Sequence, residues 1–431
     1  MKSIPLPPGF EHMLRFPLID ALLGRRSRRF LMGASVPAGP FAYASMREPL
    51  ALSELEKLLT LTAVAGNTGW NYLMMHNARY APHLPNYACA AGGRTFPSAA
   101  GFHTAEVFFT DDEGAYLFET RDAPALGGTT EGGALDLDAF LEAHRKRIRK
   151  LQDGRLHLPA ADPHIEGHNH WVANRPGSLL IIPVADVAQH HIANLCYYLQ
   201  NGYCLYDDVN NRRIEGLQQF AHMHDPDNLL PLSYVERYSL LEAVTELVTA
   251  CYAGTLMLQA MGLGGWMFNG MNPYSILGAS GDPAVPGLGF RYDLDKRSPL
   301  PNPTGLPGVF EGHCPPHYPN MREAVSALVN RKFGPGGPFH PETPGPWKNS
   351  SRIRASAQRH DEQFSECVTA QAQYTWDSFG KFPGTIPSIL AFIYLQVHHL
   401  DLEFYDRFFD KSAYLETHAR HMEWWHAAGK R

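Results

Sequence analysis

The residues best suited to chemistry stand in short runs far apart in the chain. Gly24-Arg25-Arg26-Ser27-Arg28-Arg29-Phe30 packs four arginines around one hydroxyl. Guanidinium groups donate paired N–H bonds that match phosphate oxygens, and Ser27 adds an O–H donor. Further along, Arg94-Thr95-Phe96-Pro97-Ser98-Ala99-Ala100-Gly101 is a turn of small residues through which a backbone can approach a flat ligand. A third run, Met261-Gly262-Leu263-Gly264-Gly265-Trp266, follows an apolar helical stretch. Its glycines permit a left-handed helix cap and expose backbone N–H groups. It is not a dinucleotide fingerprint, because the spacing differs and it follows a helix rather than a strand. Each run alone reads equally as a solvated basic face or an ordinary turn. In combination they point to a phosphorylated aromatic cofactor.

Histidines form the other set. In an expected helix, His398-His399-Leu400-Asp401-Leu402-Glu403 places His399 and Glu403 four apart on one face, and His418 and His421 lie three apart. Such pairs can bind metals. No second helix offers a matching set, so no metal ligand is assigned, and histidines bonded to nearby carboxylates are expected instead. His164, His168 and His170 share a loop that either lines a substrate pocket or is plain surface polarity. His103, Tyr274 and His164 are candidates for proton transfer, with none singled out.

Several elements would position these runs. Residues 17–24 read as a short helix ending at Gly24. Ser53-Glu54-Leu55-Glu56 is a capping box that starts a helix over 54–65. Two strands, 105–110 and 115–120, form a hairpin across Asp111-Asp112-Glu113-Gly114. Residues 136–153 read as a polar surface helix. Ser178–Val184 is a strongly apolar strand, where Pro183 suggests a strand end or sheet edge. Helices are expected over 187–200 and from a second capping box, Ser233 to Glu236, to about Met261. The second half of that helix has almost no polar face, which suits a central core helix or a subunit interface. Helices near 319–333, 356–374, 385–409 and 412–427 follow a Pro/Gly-rich segment at 279–318.

Bulk properties narrow the class. The 431 residues are 44% hydrophobic and 19% charged, with net charge -6. Nothing supplies the long basic face that nucleic acid requires. No apolar run is long enough to span a bilayer. The six cysteines include no Cys-x-x-Cys pair and read as reduced, buried thiols. Ser27-Arg28-Arg29-Phe30-Leu31 approaches a twin-arginine export signal, but the following stretch is interrupted by Pro37 and Pro40, so a cytoplasmic protein is expected.

The order of the runs resembles the FMN-dependent nitroreductase superfamily. Arg25-Arg26-Ser27-Arg28-Arg29 is similar to its Arg-Arg-Ser-x-Arg signature, followed as in the family by Pro49–Leu59. Arg94–Gly101 and the hairpin after it resemble the azoline-forming flavin dehydrogenase branch. Gly254–Gly278 resembles the family's central helix and flavin-side loop, and Lys296–Leu300 its basic closing segment. The resemblance covers residues 20–125 and 178–300. It implies an α+β fold, a mixed or antiparallel sheet flanked by helices around a long buried helix. Residues 1–300 would form the flavin domain, with an insertion at 126–177, and 301–431 a helical extension packed on the core or a partner.

For the site, the resemblance implies FMN held by Arg25, Arg26, Ser27, Arg29 and Arg297, with Arg29 near the flavin N1 edge. Pro97 and Ser98 would pack against the ring, Asn67 would join them, and Gly264 and Gly265 would offer N–H groups near N5. The expected activity is hydride transfer to or from a small organic substrate, with NAD(P)H as one electron donor, by a homodimer. The family's Pro-Ser and Gln positions are lost around Ala65–Trp70. A flavin-free scaffold, or a metal-dependent non-redox enzyme using the His-rich C-terminal helix, is the alternative.

Overall fold

The computed structural model describes residues 6–75, 77, 87–123, 136–294, 297–298 and 300–426. Its centre is a seven-stranded antiparallel sheet. The strands are β1 (Ala105–Asp111), β2 (Gly114–Phe118), β3 (Ile148–Asp153), β4 (Leu179–Asp186), β5 (Gly264–Phe268), β6 (Ile389–Ala391) and β7 (Tyr394–His398). They lie in the order β5-β7-β4-β1-β2-β3, with β6 beside β4 in line with β7.

Six helices precede or flank the sheet: α1 (Pro8–Leu14), α2 (Leu18–Gly24), α3 (Glu54–Ala65), α4 (Leu137–Arg145), α5 (Val187–Gln200) and α6 (Leu232–Met261). Later come α7 (Met321–Phe333), α8 (Glu362–Phe379) and the short α9 (His421–His426). The fold is therefore α+β, an antiparallel sheet between helical layers.

Strand alternation builds two cores at once. Val107, Phe109, Leu179, Ile181, Leu395 and Val397 face α3 and α6. Their neighbours Phe108, Leu180, Ile182, Val184 and Tyr394 face the opposite core with Trp266, Phe290 and Phe310. Both faces of the sheet are covered, so β4 reads as an unbroken apolar run instead of alternating with polar residues. Pro183 sits inside this central strand, paired with Val107, and not at an edge. Its other side falls opposite the break between Ala391 of β6 and Leu395 of β7, where no ladder partner is needed.

The hairpin and α3 lie where the sequence places them, and Ser53 and Glu56 complete their capping box. Three expectations change. The helix expected over 136–153 is α4 followed by β3, which pairs with β2 at the edge of the sheet. The helix expected over 385–409 is β6, β7 and a short helix from Leu402. A short apolar run buried on both faces has no periodicity to separate strand from helix. Thus 301–431 is more than a helical extension, because β6 and β7 belong to the sheet. The second capping box does not form either: α6 starts after Pro231, and Ser233 donates to Asp208 from within the first turn.

α6 spans 30 residues and ends at Gly262, whose φ is 78°. By composition it is long and apolar enough to cross a bilayer, yet it carries Glu236, Glu242 and Glu246 and packs on α3, α5 and the sheet. Gly254 lets the sheet approach: a Cβ there would lie 2.5 Å from Leu395 and 2.7 Å from Val64. One face stays outward, with Tyr234, Tyr238, Leu241 and Tyr252 exposed.

Gly262 combines a left-handed backbone with a neighbour, the Thr417 carbonyl, that would collide with any Cβ. Gly262→Ala should cost about 2 kcal/mol or more in urea unfolding. Gly39→Ala, at φ 86° with nothing within 4 Å, should cost only the backbone strain of about 1–2 kcal/mol.

Candidate functional site

The arginine run leaves α2 and pairs with β5. Arg28 N–H donates to Gly265 O at 3.2 Å and Gly265 N–H donates to Arg28 O at 2.9 Å. The Arg28 side chain points inward and is 2% exposed. It donates to Gln259 Oε1 at 2.7 Å, Ala413 O at 2.8 Å and Gly24 O at 3.3 Å. Burial, with Arg26 and Arg25 adding to it, lowers its pKa to about 10, so it stays charged. Arg28 is thus an anchor. Arg26, Ser27 and Arg29 are left exposed and Arg25 half-buried. Beside them opens a groove of about 610 Å³ lined by His12, Arg15, Asp20, Gly24, Leu415 and Trp424.

The glycine run is spent in the sheet. Gly265 N–H is taken by Arg28, and a Cβ on it would strike Gln396 O, while one on Gly264 would strike Leu400. These glycines allow strand packing and hold no N–H in reserve at residue 265.

Pro97 and Ser98 lie elsewhere. Ser98 Oγ accepts from His103 N at 2.8 Å and donates to Glu246 Oε1. The other Glu246 oxygen accepts from Thr104 N, Thr104 Oγ1 and Ala105 N at 2.9–3.0 Å. Burial pushes this carboxyl up, but His190, His103 and Ser98 outweigh it and hold the pKa at about 2. The segment it pins is strained, with Ala100 and His103 at φ 47° and 48°. Such positions persist only where surrounding contacts enforce them. Glu246 lies 13 residues before Gln259 on α6, so this turn and the Arg28 anchor are about 20 Å apart along the helix. Within one chain the two runs do not meet.

Asn67 is buried, and its Oδ1 accepts from Gly69 N at 3.1 Å, shaping a turn. Arg297 donates to Phe379 O and lies 5.2 Å from that ring, beside Asp293 and Asn302. None of these neighbours borders the arginine run. Burial and the Arg94 charge hold His103 at about 3, so its imidazole is neutral and is no acid at pH 7. His164 is bonded to Ser275 at 2.9 Å, His170 to Ile165 O at 2.7 Å, and His168 is exposed, so the three form no cluster.

A second buried polar region adjoins Ser98. His190 Nε2 lies 3.4 Å from Glu246 Oε1, while His190 Nδ1, both amide atoms of Gln189, Arg121 Nη1 and Arg331 Nη1 are buried without a hydrogen-bond partner. Asp186, at the N-terminus of α5, lies 2.7 Å from His313 Nδ1 and 4.0 Å from Arg121.

A third grouping was not legible locally. Glu56 Oε1 faces the Nε2 atoms of His399, His421 and His426 at 3.3, 2.9 and 3.1 Å. Glu403, expected to face His399, instead pairs with Arg47 at 2.9 Å on the surface. The four residues come from α3, the end of β7 and α9, a separation of 370 positions that no local motif can reveal.

Removing Glu246 tests the pinned turn. Glu246→Ala should cost about 3–5 kcal/mol at pH 7. The native carboxyl is depressed, so its contribution is complete above pH 4.5 and is lost as the pH falls toward about 2. Urea melts across that window should show the gap between native and variant protein closing on acidification; a constant gap contradicts the assignment.

No family model matches the chain, and no curated protein matches it by sequence. A solved structure from Ralstonia eutropha JMP134, provisionally described as a nitroreductase, aligns over 60% of this chain and 71% of its own, with 13% identity and a TM-score of 0.28. At that distance the likeness carries no argument, and function must be read from this chain's own residues.

Proposed function

We propose that the protein is an FMN-dependent oxidoreductase acting as a homodimer, with each flavin held between two copies. The observation that carries this reading is the division of labour in the arginine run. Arg28 is locked inward, while Arg26, Ser27 and Arg29 are exposed and directly follow Gly24, which lines a groove of ligand size; Arg26 rests on the Leu23 and Arg25 carbonyls at 3.1 and 2.8 Å and would have to swing from them to reach a phosphate. Guanidinium groups held by a buried neighbour suit the phosphate of a mononucleotide. FMN, once bound, supplies the hydride chemistry. The chain's part is to grip the phosphate, hold the ring and keep water from it. The substrate on this reading is a small organic molecule, with a nicotinamide as electron donor.

The outward face of α6 supports the two-copy arrangement. Leu241 is 62% exposed and Tyr252 40%, and Leu18 and Leu23 of the adjoining α2 are 67% and 70% exposed. Exposed apolar side chains on two packed helices favour association. In a two-fold dimer a patch packs on its own copy. An axis near Tyr252, midway between Glu246 and Gln259 on α6, would carry the Pro97–Ser98 turn of one copy toward the arginine run of the other. The runs that fail to meet in one chain would meet across that axis.

Two measurements test this. Purified protein should be yellow or take up added FMN, and Arg26→Ala should weaken FMN binding about tenfold. All six native cysteines are buried, so Tyr252→Cys adds one exposed thiol. It should form a disulfide-linked dimer under mild oxidation if the axis passes there. Monomeric, colourless protein that ignores FMN would refute the reading.

A further inference from the structure

We propose that Glu56, His399, His421 and His426 form a binding site for one divalent first-row transition ion, a site separate from the flavin reading and independent of it. One ligand atom from each residue lies within 4.8 Å of every other. The spacing suits coordination. Tetrahedral bonds of about 2.0–2.1 Å put neighbouring ligand atoms about 3.3 Å apart. The carboxylate oxygen lies 2.9–3.3 Å from the three nitrogens.

Proton bookkeeping favours a cation over a hydrogen-bond cage. His399 Nδ1 donates to Leu50 O at 2.9 Å, and His421 Nδ1 donates to Met261 O at 2.8 Å. Backbone carbonyls only accept, so both Nδ1 atoms carry protons. In the neutral rings the Nε2 lone pairs then point inward, toward another lone pair on Glu56 Oε1. Carbonyl-fixed imidazoles of this tautomer are what metal-ligating histidines display. Glu56 is oriented in the same way, because Oε2 accepts from Ser53 N at 2.6 Å and leaves Oε1 as a single donor.

His421 supplies the independent observation. It is 3% exposed, and its Nε2 has no hydrogen-bond partner although Glu56 Oε1 is 2.9 Å away. The ring is aimed beside the carboxylate oxygen rather than at it. A common point between four donors explains that aim, whereas a simple ion pair does not. Protonating all three rings instead would concentrate three positive charges around one buried carboxylate. One divalent ion satisfies every donor at once.

The donor set is three imidazoles and one carboxylate, which suits zinc, iron, cobalt or nickel better than calcium or magnesium. His426 is the most exposed ligand, with its side chain at 22%, and marks the route of entry. The ion would join α3, the end of β7 and α9. It would therefore fasten the C-terminal helix, which packs on α1 through Trp425 and Gly9, to the sheet.

The test uses the full chain. Elemental analysis of purified protein, or of chelator-treated protein refilled with Zn²⁺, should give about one equivalent per chain. Co²⁺ should give the intense visible bands of a low-symmetry nitrogen-rich site. Zn²⁺ should raise Tm and a chelator should lower it. His421→Ala should lose the metal and its Tm shift, and His168→Ala, at an exposed histidine, should keep both. Should His421→Ala fail to fold, Glu56→Gln keeps the acceptor for Ser53 while weakening ligation, and should lower affinity at least tenfold. Native and refilled protein without stoichiometric metal, without cobalt bands and without a Zn²⁺-dependent Tm shift would overturn the proposal and leave a protonated histidine cage. Stoichiometric metal that His421→Ala and Glu56→Gln leave in place would overturn it equally.

Discussion

A carboxylate taken out of water must find donors, and this requirement organises much of the molecule. Glu246 gathers Ser98, Thr104 and Ala105 onto α6. Next to Ala105 on β1, Glu106 accepts the N–H groups of Thr120 and Arg121, and burial raises its pKa to about 7. Near the start of α6, Glu236 takes the N–H groups of Gly384 and Thr385. Glu56 holds Ser53 N with one oxygen and turns the other toward three histidines. In each case one side chain on a regular element fixes the path of irregular chain from far away. Apolar burial supplies the cohesion, while these carboxylates decide which loop lies where.

α6 is the common rod. Its inner face lies against β7 and α3, its middle holds the strained turn through Glu246, and its end holds Arg28 through Gln259 and His421 through the Met261 carbonyl. The arginine run and the histidine cluster are therefore near the same end, and both depend on the break at Gly262. A disturbance of that cap reaches Thr417, which donates to Gln259 O, and so reaches the helix that carries His421. The proposed flavin grip and the proposed metal clasp are separate in chemistry but share mechanical support.

Regular elements were legible where one signal dominated. The Ser53–Glu56 box and the 3.6-residue pattern after it locate α3, and the alternation either side of Asp111–Gly114 locates the hairpin. Strands β6 and β7 were not legible, because residues buried on both faces lose the period that marks a strand. The box at Ser233 misled for a related reason: Glu236 has the right spacing for a cap, yet it is consumed by Gly384 and Thr385, partners invisible to local reading. Arg28 illustrates the limit for the site. Four arginines in five positions look interchangeable, and only the pairing with Gly265 separates the anchor from those turned outward. Glu56 was visible as a cap and His421 as a histidine near His418, but their meeting depends on how the last helix returns to α3.

Strand β7 occupies an interior place in the sheet, between β5 and β4, although it comes from near the end of the chain. During synthesis β4 and β5 must both wait, each with an open hydrogen-bonding edge, while more than a hundred further residues emerge after β5. Open apolar edges invite pairing with other chains. The unfinished protein on the ribosome is thus far more prone to aggregate than the finished one. How long those two edges remain uncovered is a property of the growing chain that the stability of the completed fold does not report.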